Sequence, residues 1–197
     1  VMRKGWILFL AFSLSALFTV QASVGRERPP KVGEPFPELD LPVPEDPGHR
    51  KYLGLDQRMA FQIQDVAAPV VLIEIFSMYC PHCQREAPKV NELYRLITGD
   101  PALAGNLKML GIGVGNTAFE VDLFRKKYGI PFPLLPDEEF TVHEALGEVR
   151  TPFFFAVKIL KDGGTEIVLS KLGGFRDAGE FLDSIVRAGG LNEEGSR

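Results

Sequence analysis

Two cysteines, Cys80 and Cys83, are the residues of this chain whose type and spacing best suit chemistry. They flank Pro81 and His82 in a C-x-x-C motif. A thiolate attacks a disulfide sulfur through a mixed-disulfide intermediate, and a second cysteine three positions on can then resolve that intermediate. His82 can favour the thiolate of the first cysteine by donating a hydrogen bond or through its charge. The motif therefore predicts thiol–disulfide redox chemistry.

Zinc binding is the main alternative for a C-x-x-C pair. A four-coordinate zinc site needs two more ligands, and the chain has no other cysteine. The remaining histidines, His49 and His143, lie far from the motif in sequence. The sequence therefore predicts no metal site and no cofactor beyond the redox-active disulfide Cys80–Cys83 itself.

The residues on either side of the motif predict a strand followed by a helix. The run 70–76 is apolar except for Glu74, which is typical of a strand buried on both faces of an α/β sheet. Over residues 87–97 the apolar positions change to helical spacing. Pro81 suits the first position of this helix, where its missing N–H costs nothing. Cys80 is then expected at the helix N-terminus, where unpaired N–H groups and the helix dipole stabilise a thiolate.

The rest of the chain extends this pattern to the order β-α-β-α-β-β-α, with a short strand predicted before it at 59–63. The further strands are predicted at 107–114, 153–160 and 166–172. The further helices are predicted at 117–128 and, after an N-cap at Asp177, up to residue 189. In the first of these helices, Phe119, Leu123 and Phe124 are expected to face inward.

Residues 1–22 have the layout of a secretory signal peptide. Arg3 and Lys4 precede an apolar stretch, and residues 20–22 fit a small-x-small cleavage site. The apolar stretch is about 15 residues long, shorter than the ~20 that cross a bilayer, so an uncleaved membrane anchor is the lesser alternative. The sequence therefore predicts an exported, periplasmic protein, in a compartment where disulfides form and are reshuffled.

The length of the mature chain fits one domain. Residues 23–50, rich in proline, glycine and charge, are predicted to be a linker and irregular lead-in. The domain is expected over 51–190, with a flexible tail at 191–197. The formal net charge is −4 at pH 7, and no basic patch is evident, so nucleic acid is not an expected partner. A monomer is expected.

The element order and the motif together resemble the thioredoxin fold, over residues 32–190. Pro88, eight residues after the first cysteine, stands where thioredoxins carry a kinking proline, and Glu74 stands where they carry a buried acid. Thr151-Pro152 stand at the place of the family's cis-proline. The resemblance implies an α/β fold with a central mixed β-sheet flanked by helices, here with an N-terminal extension.

Within this superfamily the chain is similar to the TlpA/ResA branch. The interval between the motif and Pro152 is too short for the helical domain that DsbA oxidases insert there. The segments 32–35 and 128–133 are also similar to TlpA/ResA proteins. The C-P-H-C motif itself resembles that of DsbA. Since Pro81 and His82 between the cysteines tune the reduction potential, the direction of electron flow stays open.

The resemblance implies a thiol–disulfide oxidoreductase in which Cys80 is the exposed nucleophile and Cys83 resolves the mixed disulfide. Glu74 is expected to accept the proton of Cys83, and Thr151 and Pro152 are expected to bind the extended backbone of the substrate. The implied partners are substrate proteins with thiols or disulfides, and a membrane or periplasmic redox partner. Apocytochrome c, a folding catalyst and misoxidised proteins in general are all compatible substrates.

Two other functions on the same fold stay open. A peroxiredoxin would use Cys80 as a peroxidatic thiol; Ser77 fits the hydroxyl position of the P-x-x-x-T/S-x-x-C pattern, but Ile73 stands in the place of its proline. A copper chaperone of the Sco type resembles C-x-x-x-C with a distal histidine. The cysteine spacing here is one residue shorter, although His143 could serve as that histidine.

Overall fold

The computed structural model describes residues 28–55 and 57–191. The predicted signal peptide at 1–22 lies outside these ranges, as does the predicted tail apart from Leu191. Within the described ranges, none of the helices combines the length and the apolar character needed to cross a lipid bilayer.

The elements follow the predicted order closely. The strands, in chain order, are β1 (Leu41–Pro42), β2 (Ala60–Phe61), β3 (Val70–Phe76), β4 (Leu107–Val114), β5 (Leu134–Asp137), β6 (Phe153–Ile159) and β7 (Thr165–Leu172). The helices are α1 (Pro47–Leu53), α2 (Pro81–Gly99), α3 (Pro101–Ala104), α4 (Ala118–Tyr128), α5 (Thr141–Ala145) and α6 (Ala178–Gly189). A short 3₁₀ helix spans Ile63–Asp65.

The central sheet has five strands in the order β5-β4-β3-β6-β7. β3 pairs in parallel with β4, and β4 in parallel with β5. β6 runs antiparallel to both β3 and β7. This arrangement confirms the predicted mixed sheet flanked by helices, and it adds β5, which the predicted order lacked. This edge strand of four residues, which contains Pro136, overlaps the segment 131–136 that the sequence predicts to be extended but does not mark as a strand.

Strand β3 is the centre of the molecule, and all seven of its residues are buried. Successive side chains of a strand point to opposite faces of the sheet, so alternate residues of β3 belong to two different cores. Leu72 and Phe76 join the core that α2 and α6 cover, whereas Ile73 and Ile75 join the core under the N-terminal segment. Glu74 has the same parity as Leu72 and therefore lies on the side of α2.

The inward face predicted for α4 is wrong at two of its three positions. Phe124 is buried and its ring centroid lies 4.8 Å from that of Phe76. Phe119 is 76% exposed and Leu123 is also exposed, while Val121 is buried in their place. The helix carries two overlapping apolar stripes, and contact with the sheet selects the one that contains Val121.

The predicted strand at 59–63 is only partly present. It forms β2, but Met59 is 96% exposed. Ile63 begins the 3₁₀ helix, because Gln62 and Asp65 exchange the hydrogen bonds of a capping box that turns the chain.

The described part of the predicted lead-in is packed against the domain. Phe36 and Leu41 are buried in the core on the side of the sheet away from α2. The backbone N–H of Gly33 donates to the carbonyl of Ile167 in β7 at 2.8 Å, and the N–H of Ile167 donates to the carbonyl of Glu34 at 2.9 Å. The lead-in therefore covers part of an edge strand that would otherwise present unpaired backbone groups.

Candidate active site

The first cysteine stands at the N-terminus of α2, as predicted. Cys80 has extended backbone angles as the N-cap residue, and Pro81 is the first residue of the helix. The N–H of Cys80 donates to the carbonyl of Ser77, and its own carbonyl accepts from the N–H of Gln84. Cys80 is half-buried, Cys83 is 0% exposed, and both are free thiols.

The surroundings of Cys80 lower its pKa below the ordinary thiol value. Partial burial is the largest single influence and acts in the opposite direction. It is outweighed by hydrogen bonds to the thiolate from the side chain of Thr151, from the backbone and thiol of Cys83, and from the backbone of His82. The backbone donors, His82 and Cys83, lie in the first turn of α2, where N–H groups are unpaired. Cys80 is therefore disposed to react as a thiolate.

The surroundings of Cys83 have the reverse effect. Burial raises the pKa of the Cys83 thiol, and the negative charges of Glu74 and Cys80 raise it further. A backbone hydrogen bond from Ser77 only partly opposes this. One cysteine of the pair is thus accessible and acidic, and the other is enclosed and protonated.

Glu74 lies inside the sheet, 5% exposed. Burial raises its pKa to about 8, with smaller contributions from the charges of Glu86 and Cys80. An isolated carboxylate in such surroundings would be costly, so the group takes up a proton instead. The strand does not twist far enough to bring this carboxyl to solvent. A carboxyl of this pKa can exchange protons near neutral pH.

Glu86 is a second buried acid, which the sequence analysis missed. It is 8% exposed, in the second turn of α2. Its Oε1 accepts from the backbone N–H of Phe175 at 2.8 Å, and its Oε2 lies 3.4 Å from Nζ of Lys89. Gly174 leaves room for it, since a Cβ atom there would come within 2.4 Å of the carboxyl group. A charged residue on the apolar face of a helix, three positions after Cys83, is the signal that could have revealed it.

The ring of His82 contacts Arg85. Its Nδ1 lies 3.0 Å from Nη2 of Arg85. Because a guanidinium group only donates, Nδ1 is the acceptor and a neutral ring carries its proton on Nε2. The contribution of His82 to the Cys80 thiolate comes from its backbone. The structure therefore does not place the imidazole in the tuning role that the sequence predicts for it.

Asn116 is another residue that the sequence analysis did not single out. It follows β4 and is completely buried. Its Oδ1 accepts from the N–H of Met78 at 2.8 Å, and Nε2 of Gln84 donates to the carbonyl of Met78 at 2.8 Å. Both backbone groups of Met78 are therefore held, which fixes the loop leading to Cys80.

The segment predicted to bind substrate lies beside the cysteines. The Thr151–Pro152 peptide bond is cis, as expected. Sγ of Cys80 lies 3.4 Å from the carbonyl oxygen of Thr151. Both residues of this segment line a groove that also contains His82.

The structure does not bring the two other histidines to the motif as a ligand set. Nε2 of His143 lies 2.9 Å from the carbonyl oxygen of Val149, and His49 lies in α1. Among residues 28–55 and 57–191, no three histidine, cysteine or acidic side chains form a group that could hold a metal ion.

A family model described as the AhpC/TSA family matches residues 32–169 of the chain. The chain belongs to the AhpC/TSA family. Over 186 residues it is 25% identical to the thiol-disulfide oxidoreductase ResA of Geobacillus thermodenitrificans, covering 94% of this chain and 95% of that protein. It is 24% identical over 124 residues to ResA of Geobacillus kaustophilus, covering 63% of this chain and 67% of that one.

Solved structures show the same fold for this AhpC/TSA family member. A putative thiol:disulfide interchange protein DsbE from Chlorobium tepidum superimposes with a TM-score of 0.59 at 16% identity, covering 81% of this chain and 98% of that one. StoA from Bacillus subtilis superimposes with a TM-score of 0.54 at 15% identity, covering 76% and 98%. The predicted fold and the predicted class, a TlpA/ResA-type oxidoreductase of the thioredoxin type, are confirmed.

Proposed function

We propose that this protein exchanges disulfides with substrate proteins through Cys80 and Cys83, and that it does so after export. The single observation that carries the proposal is the opposite character of the two thiols. Cys80 is half-exposed with a lowered pKa, whereas Cys83 is enclosed with a raised pKa. This asymmetry suits a pair in which one sulfur reacts with the substrate and the other resolves the mixed disulfide afterwards.

In the reducing direction, the Cys80 thiolate attacks one sulfur of a substrate disulfide. The S–S bond of the substrate breaks, a Cys80–substrate disulfide forms, and the other substrate sulfur leaves as a thiolate. Cys83 then loses its proton and attacks Cys80, which releases the second substrate thiolate and forms the Cys80–Cys83 disulfide. Two electrons pass from the protein to the substrate. In the oxidising direction the same steps run backwards.

Glu74 is the proposed proton acceptor for the second step. Its charge contributes to the raised pKa of Cys83, so the two groups are close enough to interact. Its own pKa of about 8 lets it take up a proton near neutral pH. A buried thiol needs such a group because bulk water does not reach it.

Thr151 and Pro152 are the proposed contact with the backbone of the substrate. The carbonyl of Thr151 lies beside Sγ of Cys80, so an extended segment that pairs with this edge would bring its own cysteine to the nucleophile. The side chain of Thr151 also stabilises the Cys80 thiolate. One residue would thus align the substrate and hold the attacking sulfur.

Export and the partners are proposed on the following grounds. Residues 1–22 have the pattern of a signal peptide. The relatives are named thiol-disulfide oxidoreductases, and the disulfides of stable substrate proteins persist mainly in exported compartments. We propose substrate proteins with thiols or disulfides, apocytochrome c among them, together with a membrane or periplasmic redox partner. The Cys80–Cys83 disulfide is the proposed redox group, with no other cofactor.

The test uses single cysteine variants. Reduced wild-type protein should cleave a peptide disulfide and accumulate the Cys80–Cys83 disulfide. Cys83→Ser should stop at a mixed disulfide with the peptide, and Cys80→Ser should form none. Trapping through Cys83 alone, or no exchange by the wild type, would overturn the proposal. The reduction potential, against a span of about −270 to −120 mV for thioredoxin-like proteins, then gives the direction.

A peroxidase activity is the second candidate, because the AhpC/TSA family model matches the chain. In that reaction the Cys80 thiolate would attack a peroxide oxygen and become a sulfenic acid, and Cys83 would then form the disulfide with loss of water. The backbone of Ser77 forms hydrogen bonds with both cysteines: its carbonyl accepts from the N–H of Cys80, and its backbone also bonds to the thiol of Cys83. Consumption of hydrogen peroxide by the reduced protein, compared with its rate on peptide disulfides, distinguishes the two functions.

A further inference from the structure

A basic groove lies beside Cys80, whose Sγ is 3.4 Å from the carbonyl oxygen of Thr151 in the groove wall. Its volume is about 360 Å³, and the residues that line it include His82, Arg85, Glu86, Arg150, Pro152 and Gly174. One wall is formed by the first two turns of α2, and the other by the loop before β6 together with the loop after β7. A segment of a bound protein whose cysteine reaches Cys80 has room to extend along this groove.

The groove carries more positive than negative charge. Arg85 and Arg150 are exposed on its opposite walls. Of the ion pairs formed among residues 28–55 and 57–191, none involves either arginine. At the rim, Nζ of Lys171 donates to the carbonyl of Gly174 at 2.8 Å.

The one carboxylate that lines the groove is already satisfied. Glu86 accepts from the N–H of Phe175 and lies beside Nζ of Lys89. It is buried and is paired with Lys89 rather than with either arginine. The chain as a whole has a formal net charge of −4. A local excess of positive charge on an acidic protein, next to its reactive sulfur, marks the groove as a surface for an anionic partner.

We infer that the basic groove selects segments of substrate proteins that carry an aspartate or glutamate within a few residues of the target cysteine. Arg85 and Arg150 are its specificity-determining residues. The inference rests on the proposed exchange function and adds the class of sequence on which that function acts.

The geometry suits an extended segment. Such a segment advances about 3.3 Å per residue, so a side chain two positions from the target cysteine stands about 7 Å along the groove, within reach of a long arginine side chain. Guanidinium groups bind carboxylates with two parallel hydrogen bonds, which adds orientation to attraction. Arg85 is also fixed by its contact with His82, so little freedom is lost when a carboxylate binds.

The experiment compares three peptides that differ at one position. Each contains one cysteine, held as a mixed disulfide with uncharged 2-mercaptoethanol, and has Glu, Gln or Lys two residues away. The second-order rate constant for exchange with the reduced full-length protein is measured and divided by the rate of the same peptide with dithiothreitol, which removes differences in intrinsic reactivity. We expect the order Glu, Gln, Lys, with about fivefold between neighbours at low salt. The ratios should approach one in 1 M salt, because exposed charges are then screened.

Variants assign the effect to the groove. Arg150→Gln and the double variant with Arg85→Gln should bring the Glu-to-Gln ratio close to one. Arg95→Gln is the matched control, because it removes the same charge from the same helix ten residues further on, about 15 Å away along its axis. It should leave the ratio unchanged. Taking the ratio within each variant cancels any change in the reactivity of Cys80 caused by the altered contact of Arg85 with His82.

Each outcome separates the inference from the function on which it rests. Exchange at equal normalised rates for all three peptides would overturn the inference and leave the proposed function standing. A preference for Glu that persists in the double variant, or that is lost in Arg95→Gln, would remove Arg85 and Arg150 as its cause. Failure of all three peptides to exchange would overturn the proposed function, and the inference with it. The salt dependence of the wild type needs no variant and tests the same attraction.

Discussion

Asn116 accepts a hydrogen bond from the backbone N–H of Met78 at 2.8 Å, which joins the end of β4 to the loop that carries Cys80. The amide of Asn116 is completely buried. Gln84 in α2 donates to the carbonyl of Met78, so α2 and the residue that follows β4 hold the two backbone groups of Met78. The position of Cys80 therefore depends on a residue 36 positions further along the chain.

Replacing Asn116 by alanine should loosen this loop. A buried N–H without an acceptor costs about 1–3 kcal/mol, so the free energy of unfolding should fall by that amount. The alkylation rate of Cys80 should change as well. Asn91→Ala is the matched control, since Asn91 donates to the carbonyl of Tyr128 at 2.8 Å, away from the cysteines. Urea unfolding and iodoacetamide kinetics check both effects. An equal change of Cys80 alkylation in the two variants would contradict the positioning role.

Alkylation of the reduced protein should label Cys80 before Cys83. Because the pKa of Cys80 is lowered and that of Cys83 is raised, the thiolate fraction of Cys80 exceeds that of Cys83 in mildly acidic solution. In Thr151→Val, which loses the hydroxyl but keeps the shape, the midpoint of the alkylation rate of Cys80 should move to higher pH. Peptide mapping after brief labelling identifies the modified cysteine. Labelling of Cys83 first would reverse the proposed roles.

Glu74→Gln should slow the resolving step much more than the initial attack. The variant keeps the shape of the side chain and removes the group that is proposed to accept the proton of Cys83. Stopped-flow measurement of a single turnover near pH 7 separates formation of the mixed disulfide from its resolution, and formation serves as the internal control. Unchanged resolution would show that Glu74 has no catalytic role.

The same substitution should alter how stability depends on pH. The pKa of Glu74 rises from 4.5 to about 8 on folding. Between these values the folded protein holds a proton that the unfolded chain has released, so the free energy of unfolding falls as pH rises. The loss across this range is on the order of 5 kcal/mol. The free energy of unfolding of Glu74→Gln, measured in urea relative to that of the wild type, should therefore increase steadily from pH 5 to pH 8. Parallel pH profiles would contradict a raised pKa.

The sequence alone predicted the core of the site because the signals there are local. The apolar run of β3 and the helical spacing after it identified both elements, and Pro81 identified where the helix begins. Glu74 was recognisable as a buried acid from its immediate neighbours. The N-cap of α6 was predicted for the same reason, since Asp177 accepts from the N–H of Glu180 only three residues away.

Signals of equal local strength gave the wrong answer in α4. Phe119 and Phe124 are both large and apolar, and the sequence of the helix does not indicate which of them packs against the sheet. Contact with Phe76 in β3 decides it, and that ring comes from a strand 48 residues earlier than Phe124. A hydrophobic stripe can be predicted from its period, but the neighbour that covers it is set by tertiary packing.

Only the tertiary structure decided which distant groups complete the site. Glu86 accepts from Phe175 across 89 residues of sequence, and Asn116 accepts from Met78 across 38. Arg150 comes to face Arg85 because β6 pairs with β3 in the sheet. The sequence determined the cysteine pair, its strand and its helix because each depends on residues within a few turns. It did not determine the buried partners or the basic groove, because these arise where separate segments meet and their pairing follows from the packing of the whole domain.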